Sequence, residues 1–198
     1  NRPTPPVTLA IVALCCVAFA LAQGFLWKAP APESLVRAGA NLHPAVRAGE
    51  WWRLWTCAFV HAEGLHLFFN VYGLYLLGRL VEPAVGRARF LVIFGAAVLA
   101  GNALSVWNPK PDAVISLGAS GGVLGVMGAL MVTLVLRRAS YPERVRRGLL
   151  VNVGLLLVVL VGVGFTMPYV DNFANVGGLL AGGAAAWLLA PGGVIGEG

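Results

Sequence analysis

The sequence predicts an all-α membrane protein whose helices cross the bilayer several times, and three observations carry that prediction. Of its 198 residues, 59% are hydrophobic and 11% charged, whereas a soluble domain carries about a quarter of its residues as charges. The apolar residues gather into runs close to the ~20 residues that a helix needs to cross a hydrocarbon core about 30 Å thick. Those runs lack the apolar-polar alternation of barrel strands. Backbone polar groups in lipid have no water to bond, so helices are the remaining way to span.

Six spans are expected, over residues 7–27, 64–81, 88–107, 119–136, 148–167 and 170–190. The start at Asn1 rather than Met reads as a trimmed terminus, and the first run as a true span, because it is too long for a cleaved signal and lacks a polar, small-residue exit. No internal repeat is evident, so residues 1–198 are expected to form one domain. The one long connection, 28–63, is rich in Pro, Trp and Arg and contains Glu50-Trp51-Trp52-Arg53-Leu54-Trp55. Tryptophan favours the lipid headgroup region, so this loop is expected to lie on or partly in the membrane interface.

The net charge of +6 does not point to nucleic acid, because the arginines sit in short loops between apolar runs, where topology signals sit. Nine Lys and Arg fall on the side of the N-terminus and five on the other, which predicts cytoplasmic termini in what is expected to be the plasma (inner) membrane of a prokaryote. Arg137, Arg138, Arg144, Arg146 and Arg147 carry most of that margin. Three cysteines are too few for a disulfide framework, and Cys15 and Cys16 are expected to pack as small hydrophobes. His61 and His66 without a carboxylate cluster make a poor metal site, and no cofactor is expected.

With the N-terminus inside, spans two, four and six all begin at the outer face, so polar residues near their starts share one depth. The second opens with His61, His66 and Asn70, the fourth with Gly118-Ala119-Ser120-Gly121, and the sixth with Asp171-Asn172-Phe173-Ala174-Asn175. His66 and Asn70 are four apart and share a helical face, and such side chains in a span need a partner or a wet cavity. A lone buried histidine is ordinarily a satisfied core residue. Two polar side chains on one face, opposite a serine between glycines, favour a site. A helix-start serine also has backbone N–H groups around it that can stabilise an oxyanion. The small-residue run has a plainer use as well. Gly121, Gly125 and Gly128, with Gly178 and Gly182 in the sixth span, predict close packing of spans four and six.

Taken together, Trp52-Arg53, His61 and His66 with four residues between them, Asn70, Gly118-Ala119-Ser120-Gly121 and the Ala174-x-x-Gly177-Gly178-x-x-x-Gly182 span resemble the rhomboid intramembrane serine proteases in order and spacing, over nearly the whole chain. That resemblance implies a six-helix rhomboid-like bundle with an interfacial first loop, cutting transmembrane segments of other proteins in the bilayer. It implies Ser120 as nucleophile, with His66, Asn70 and the Ser120 N–H as oxyanion hole, and His61, Gly118, Gly121, Trp52 and Arg53 in support. Substrate access is implied near the fifth span and the capping loop from Pro168 to Asn172. Active members carry a histidine as general base where this chain has Asn175. An amide cannot take a proton near neutral pH, so the dyad as written lacks its base. Leu124 stands where an aromatic residue often follows the serine. The other histidines are His43, His61 and His66, none of them in the sixth span.

The expected function is therefore an intramembrane serine endopeptidase whose base has been replaced, by design or naturally. One alternative is a natural pseudoprotease that binds transmembrane helices without cutting them. Another, a small transporter or channel, would place polar residues at several depths, whereas here they concentrate near one face.

Overall fold

The structure, a computed structural model, describes residues 4–23, 31–108, 115–166 and 170–190. In chain order the elements are α1 (Pro6–Gln23), α2 (Pro32–Arg37), β1 (Asn41–Leu42), α3 (His43–Arg47), α4 (Arg53–Thr56) with a 3-10 turn at Cys57–Phe59, α5 (Gly64–Val85), α6 (Arg87–Trp107), β2 (Ile115–Ser116), α7 (Ser120–Leu136), a second 3-10 turn at Arg138–Ser140, α8 (Glu143–Thr166) and α9 (Asn172–Leu188). Helices α1 and α5 to α9 are the expected spans. By length and composition α5, α6 and Glu143–Gly162 of α8 are long and apolar enough to cross a membrane, and Pro6–Ala22 and Ser120–Leu136 are shorter apolar helices.

Residues 24–27 and 167 of the expected first and fifth spans lie outside the described residues, and among the described residues two spans differ from expectation by more than two residues at an end. Helix α5 continues past residue 81 to Val85, with Pro83 inside it, and stops where Gly86 adopts φ 90°. Proline lacks an N–H, but so near the C-terminus it removes a single ladder bond, and the positive φ that ends the helix is one glycine adopts readily. Helix α8 begins at Glu143 rather than at 148. Glu143 pairs with Arg146 at 2.7 Å and Arg147 at 2.5 Å, and i,i+3 and i,i+4 pairs of this kind support a polar first turn.

The interfacial segment is more ordered than a loop. It folds into α2, α3, α4 and the first 3-10 turn, and β1 pairs antiparallel with β2 through Asn41↔Ser116 and Leu42↔Ile115. Arg53 is its hub. The buried guanidinium donates from Nε to Glu50 Oε2 at 2.7 Å and from Nη1 to the carbonyls of Val36 at 2.6 Å and Ala40 at 3.0 Å, and lies 4.3 Å from the centre of the Trp52 ring. Trp51 and Trp52 are exposed, and Trp51 stacks on Trp107 at the end of α6. Exposed tryptophans beside an apolar bundle are where the headgroup region would meet them.

Inside the bundle, Leu74, Phe90, Ile93, Phe94, Met127 and Leu134 fill the core. Helices α6, α7 and α9 meet backbone to backbone. A Cβ on Gly178 would strike the Gly121 carbonyl, one on Gly182 the Gly125 carbonyl, and one on Gly101 the Ala174 carbonyl. Lipid gives helices no hydrophobic reason to associate, so this close approach is what holds the three together. At the other end of α5, Glu82 accepts from Val7 N at 3.0 Å, Thr8 N at 2.8 Å and Thr8 Oγ1 at 2.7 Å. The first N–H groups of α1, which no helix can satisfy internally, thus find a carboxyl group on another span. Helix α8 is the least covered, with 6% of its apolar window buried against 50% for α6.

Candidate active site

Ser120 opens α7. The N-cap, Ala119, offers no side-chain cap, and the first ladder bond is donated by Val123 N to Ala119 O at 2.9 Å. The N–H groups of Ser120, Gly121 and Gly122 therefore precede the ladder and carry the positive end of the helix dipole beside the serine hydroxyl. The turn before it is fixed by Gly118, at φ 100°, whose N–H donates to Cys57 O of the interfacial segment at 2.9 Å.

The same glycine makes room for α5. A Cβ on Gly118 would lie 2.5 Å from His66 Nε2 and 3.7 Å from Asn70 Nδ2, so both side chains reach the strip of backbone that leads into Ser120. Asn70 donates one Nδ2 hydrogen to His66 O at 2.9 Å, and its second hydrogen remains for the space beside Gly118. His61 meets His66 edge-on, with ring centres 5.0 Å apart. Its Nδ1 lies 3.2 Å from Phe59 O, so Nδ1 carries the proton. Burial, and next the neighbouring His66, push the His61 pKa down to about 3, which keeps the ring neutral at physiological pH.

Asn175 comes from the third side. A Cβ on Gly121 would sit 3.0 Å from Ala174 O; residues 121 and 174 therefore touch, which brings Ser120 and Asn175 to one level of the α7–α9 seam. Asn175 is buried, and its Oδ1 has no hydrogen-bond partner among the described residues. A buried acceptor left without a donor costs about 1–3 kcal/mol. The amide oxygen can receive a hydrogen bond from a hydroxyl but cannot take its proton.

The expected residues thus divide. Ser120, Gly118, Gly121, His66, Asn70, His61 and Asn175 come together, whereas the contacts of Trp52 and Arg53 lie within the interfacial segment, away from this group. Leu124 is buried in the core. Of the capping loop, Pro168 and Tyr169 lie outside the described residues. Among the described residues no group of three or more His, Cys, Asp or Glu side chains is placed to share a metal ion. One residue that spacing alone does not single out is Asp171, whose side chain caps α9 by accepting from Ala174 N at 3.0 Å; an aspartate just ahead of a helical run is the usual sign of such a cap.

A family profile described as the Rhomboid domain matches residues 48–192, which takes in every residue of this group. The chain belongs to the rhomboid family. It is 36% identical over 155 residues to "Rhomboid protease GluP" of Bacillus subtilis, an alignment that covers 78% of this chain and 29% of that protein. It is 33% identical over 153 residues to "RHOMBOID-like protein 5" of Arabidopsis thaliana, covering 77% of this chain and 48% of the relative. "Putative rhomboid protease YdcA" of Bacillus subtilis is 27% identical over 151 residues, covering 76% of this chain and 70% of the relative. The rhomboid chain therefore spans less than half the length of the first two relatives. Family and apolar helices together make it an integral membrane protein.

Proposed function

We propose that this rhomboid-family chain is an intramembrane serine endopeptidase in which the general base has been replaced by Asn175. Ser120 is the nucleophile, and His66, Asn70 and the Ser120 N–H form the oxyanion hole. The observation that carries this reading is the contact of Gly121 with the Ala174 carbonyl, because it sets the serine level with the buried Asn175, on the side where α5 brings His66 to Gly118. The substrate is a transmembrane segment of another protein. It has to unwind locally, since an intact helix shields its own carbonyls, and it approaches past α8, the helix with least buried surface. Both termini are cytoplasmic, the Ser120 site opens to the outer face, and the membrane is a prokaryotic plasma membrane.

The chemistry of the site then predicts silence and its cure. A serine hydroxyl is a poor nucleophile until a base accepts its proton, a transfer that contributes typically 10²- to 10⁴-fold, and coupled groups commonly lose more than that when one is removed. In proteoliposomes carrying a transmembrane reporter, the unaltered chain should leave the reporter intact, Asn175→His should cleave it, and Ser120→Ala in that background should abolish the gain. Robust cleavage by the unaltered chain would show that another group serves as base. An Asn175→His protein that folds but cuts nothing would favour binding of transmembrane helices without hydrolysis.

A further inference from the structure

Outside the Ser120 group, a second polar cluster, formed by two buried side chains and one half-buried carboxylate, joins three elements far apart in sequence. Ser105, near the end of α6 and 2% exposed, donates its hydroxyl to Asp171 Oδ2. The same Oγ lies 3.2 Å from Nε2 of His43, the first residue of α3 and 1% exposed. The other oxygen of Asp171 accepts from Ala174 N, and its backbone carbonyl accepts from Asn175 N at 3.1 Å. Asp171 also bears on the interfacial segment through Cys57, whose thiol is pushed up to about 12 by burial first and by the Asp171 charge second.

The cluster holds a serine, a histidine and a carboxylate, but in an order that denies the serine nucleophilic character. A hydroxyl has one proton, and here it goes to Asp171, so His43 Nε2 has to donate to Ser105 and cannot act as its base. The chain of donors runs His43 Nε2–H to Ser105 Oγ–H to Asp171 Oδ2. What it delivers is geometry. It ties the carboxylate that caps α9 to α6 and to the interfacial helix α3, one turn ahead of the side chain at 175.

We propose that Ser105 is a positioning residue that locks the first turn of α9, and with it residue 175, to the interfacial segment through His43. The seating of that segment at the membrane surface is thereby transmitted to the level of Ser120 by side chains that touch no substrate. Only the catalytic consequence rests on the function proposed above; the hydrogen-bond order stands apart from it.

Three readouts on the full chain in lipid nanodiscs test this. The first is the tautomer of His43, read by ¹⁵N NMR of imidazole-labelled protein, with its signal assigned by a His43→Gln variant. The unaltered chain should carry the His43 proton on Nε2. Asp171→Asn should move it to Nδ1: the amide oxygen must stay on Ala174 N to keep the cap, so the NH2 faces Ser105 and turns the serine hydroxyl toward Nε2. The second is hydrogen exchange. Ser105→Ala should speed exchange in residues 172–178 about fivefold, with α7 unchanged. The third uses the Asn175→His background, where Ser105→Ala should lower kcat between about 10- and 100-fold with KM within about twofold, since misplacement of a reacting group acts on the chemical step. If Asn175→His itself cuts nothing, the functional reading fails while the first two readouts still decide the positioning role. A His43 tautomer indifferent to Asp171→Asn, or exchange at 172–178 unmoved by Ser105→Ala, would overturn the proposal.

Discussion

Replacing Gly178 by alanine drives a methyl group into the backbone of α7. The added Cβ would lie 2.7 Å from the Gly121 carbonyl carbon and 2.9 Å from its Cα, and closer still to the carbonyl oxygen, where 3.4 Å begins ordinary contact. Helix α9 has to retreat from α7 by at least about 0.7 Å, because close-packed interiors hold no slack to absorb the overlap. The retreat also loosens the seam further along, where Gly182 faces Gly125 and Gly128 faces Leu179 O. Overpacking of this kind costs about 1–3 kcal/mol. The upper end applies, since the obstacle is backbone rather than a side chain that can swing away. Alanine's better helix propensity returns up to about 1 kcal/mol, so a net loss near 2 kcal/mol is expected. Gly154 of α8 is the internal control: nothing lies within 4 Å of a Cβ there, so Gly154→Ala should be neutral or stabilising by up to about 1 kcal/mol. Reversible unfolding in mixed micelles measures both, and a Gly178→Ala protein as stable as Gly154→Ala would refute the claim that backbone contact holds α7 to α9.

Three further outcomes follow from the same structure. His61 stays neutral in the fold down to about pH 3 but titrates near 6.5 when unfolded; between those values the unfolded chain binds the extra proton, so stability falls as the pH drops, by up to about 1.4 kcal/mol per unit. His61→Gln should flatten that dependence, and equal slopes for the two proteins from pH 7 to 4.5 would contradict it. Glu82→Ala strips three donors at the start of α1 of their acceptor and should cost about 3 kcal/mol or more, against about 1–2 kcal/mol for Thr8→Val, both read by chemical unfolding; variants that unfold with the parent would show that α1 is held otherwise. A cysteine at Tyr141, between α7 and α8, should resist an impermeant thiol reagent applied outside intact cells and react once they are opened; labelling from outside would reverse the proposed orientation and the face to which the Ser120 site opens.

Apolar runs, the Gly118-Ala119-Ser120-Gly121 turn and the spacing of His61, His66 and Asn70 made the bundle and most of the candidate site legible in the sequence, because helix length and one-face spacing are local properties. The interfacial segment was legible only as composition. Its helices are four to six residues long, too short for a periodic pattern, and the β1–β2 pair joins residues 41–42 to 115–116, which no local window contains. The same holds for Glu82 with Thr8 and for Ser105 with His43 and Asp171: each looks like an isolated polar residue in or beside an apolar run until the fold supplies its partner. Arg53 was legible as part of a motif, but not as the group that gathers the carbonyls of Val36 and Ala40. Its three bonds depend on how α2 turns back toward α4.

The glycines of this bundle are not all replaceable on the same terms. At Gly78 an added Cβ would meet the side chain of Thr8, so damage from Gly78→Ala is of a kind that a second change, Thr8→Gly, can repair. At Gly178 and Gly182 the obstacle is a main-chain carbonyl, which every amino acid carries. No substitution at 121 or 125 removes it. A search for compensating mutations should therefore recover partners for Gly78 and none at the facing positions for Gly178 or Gly182. The seam beside Ser120 can drift in sequence only by keeping its glycines, while the contact between α1 and α5 can be renegotiated one side chain at a time.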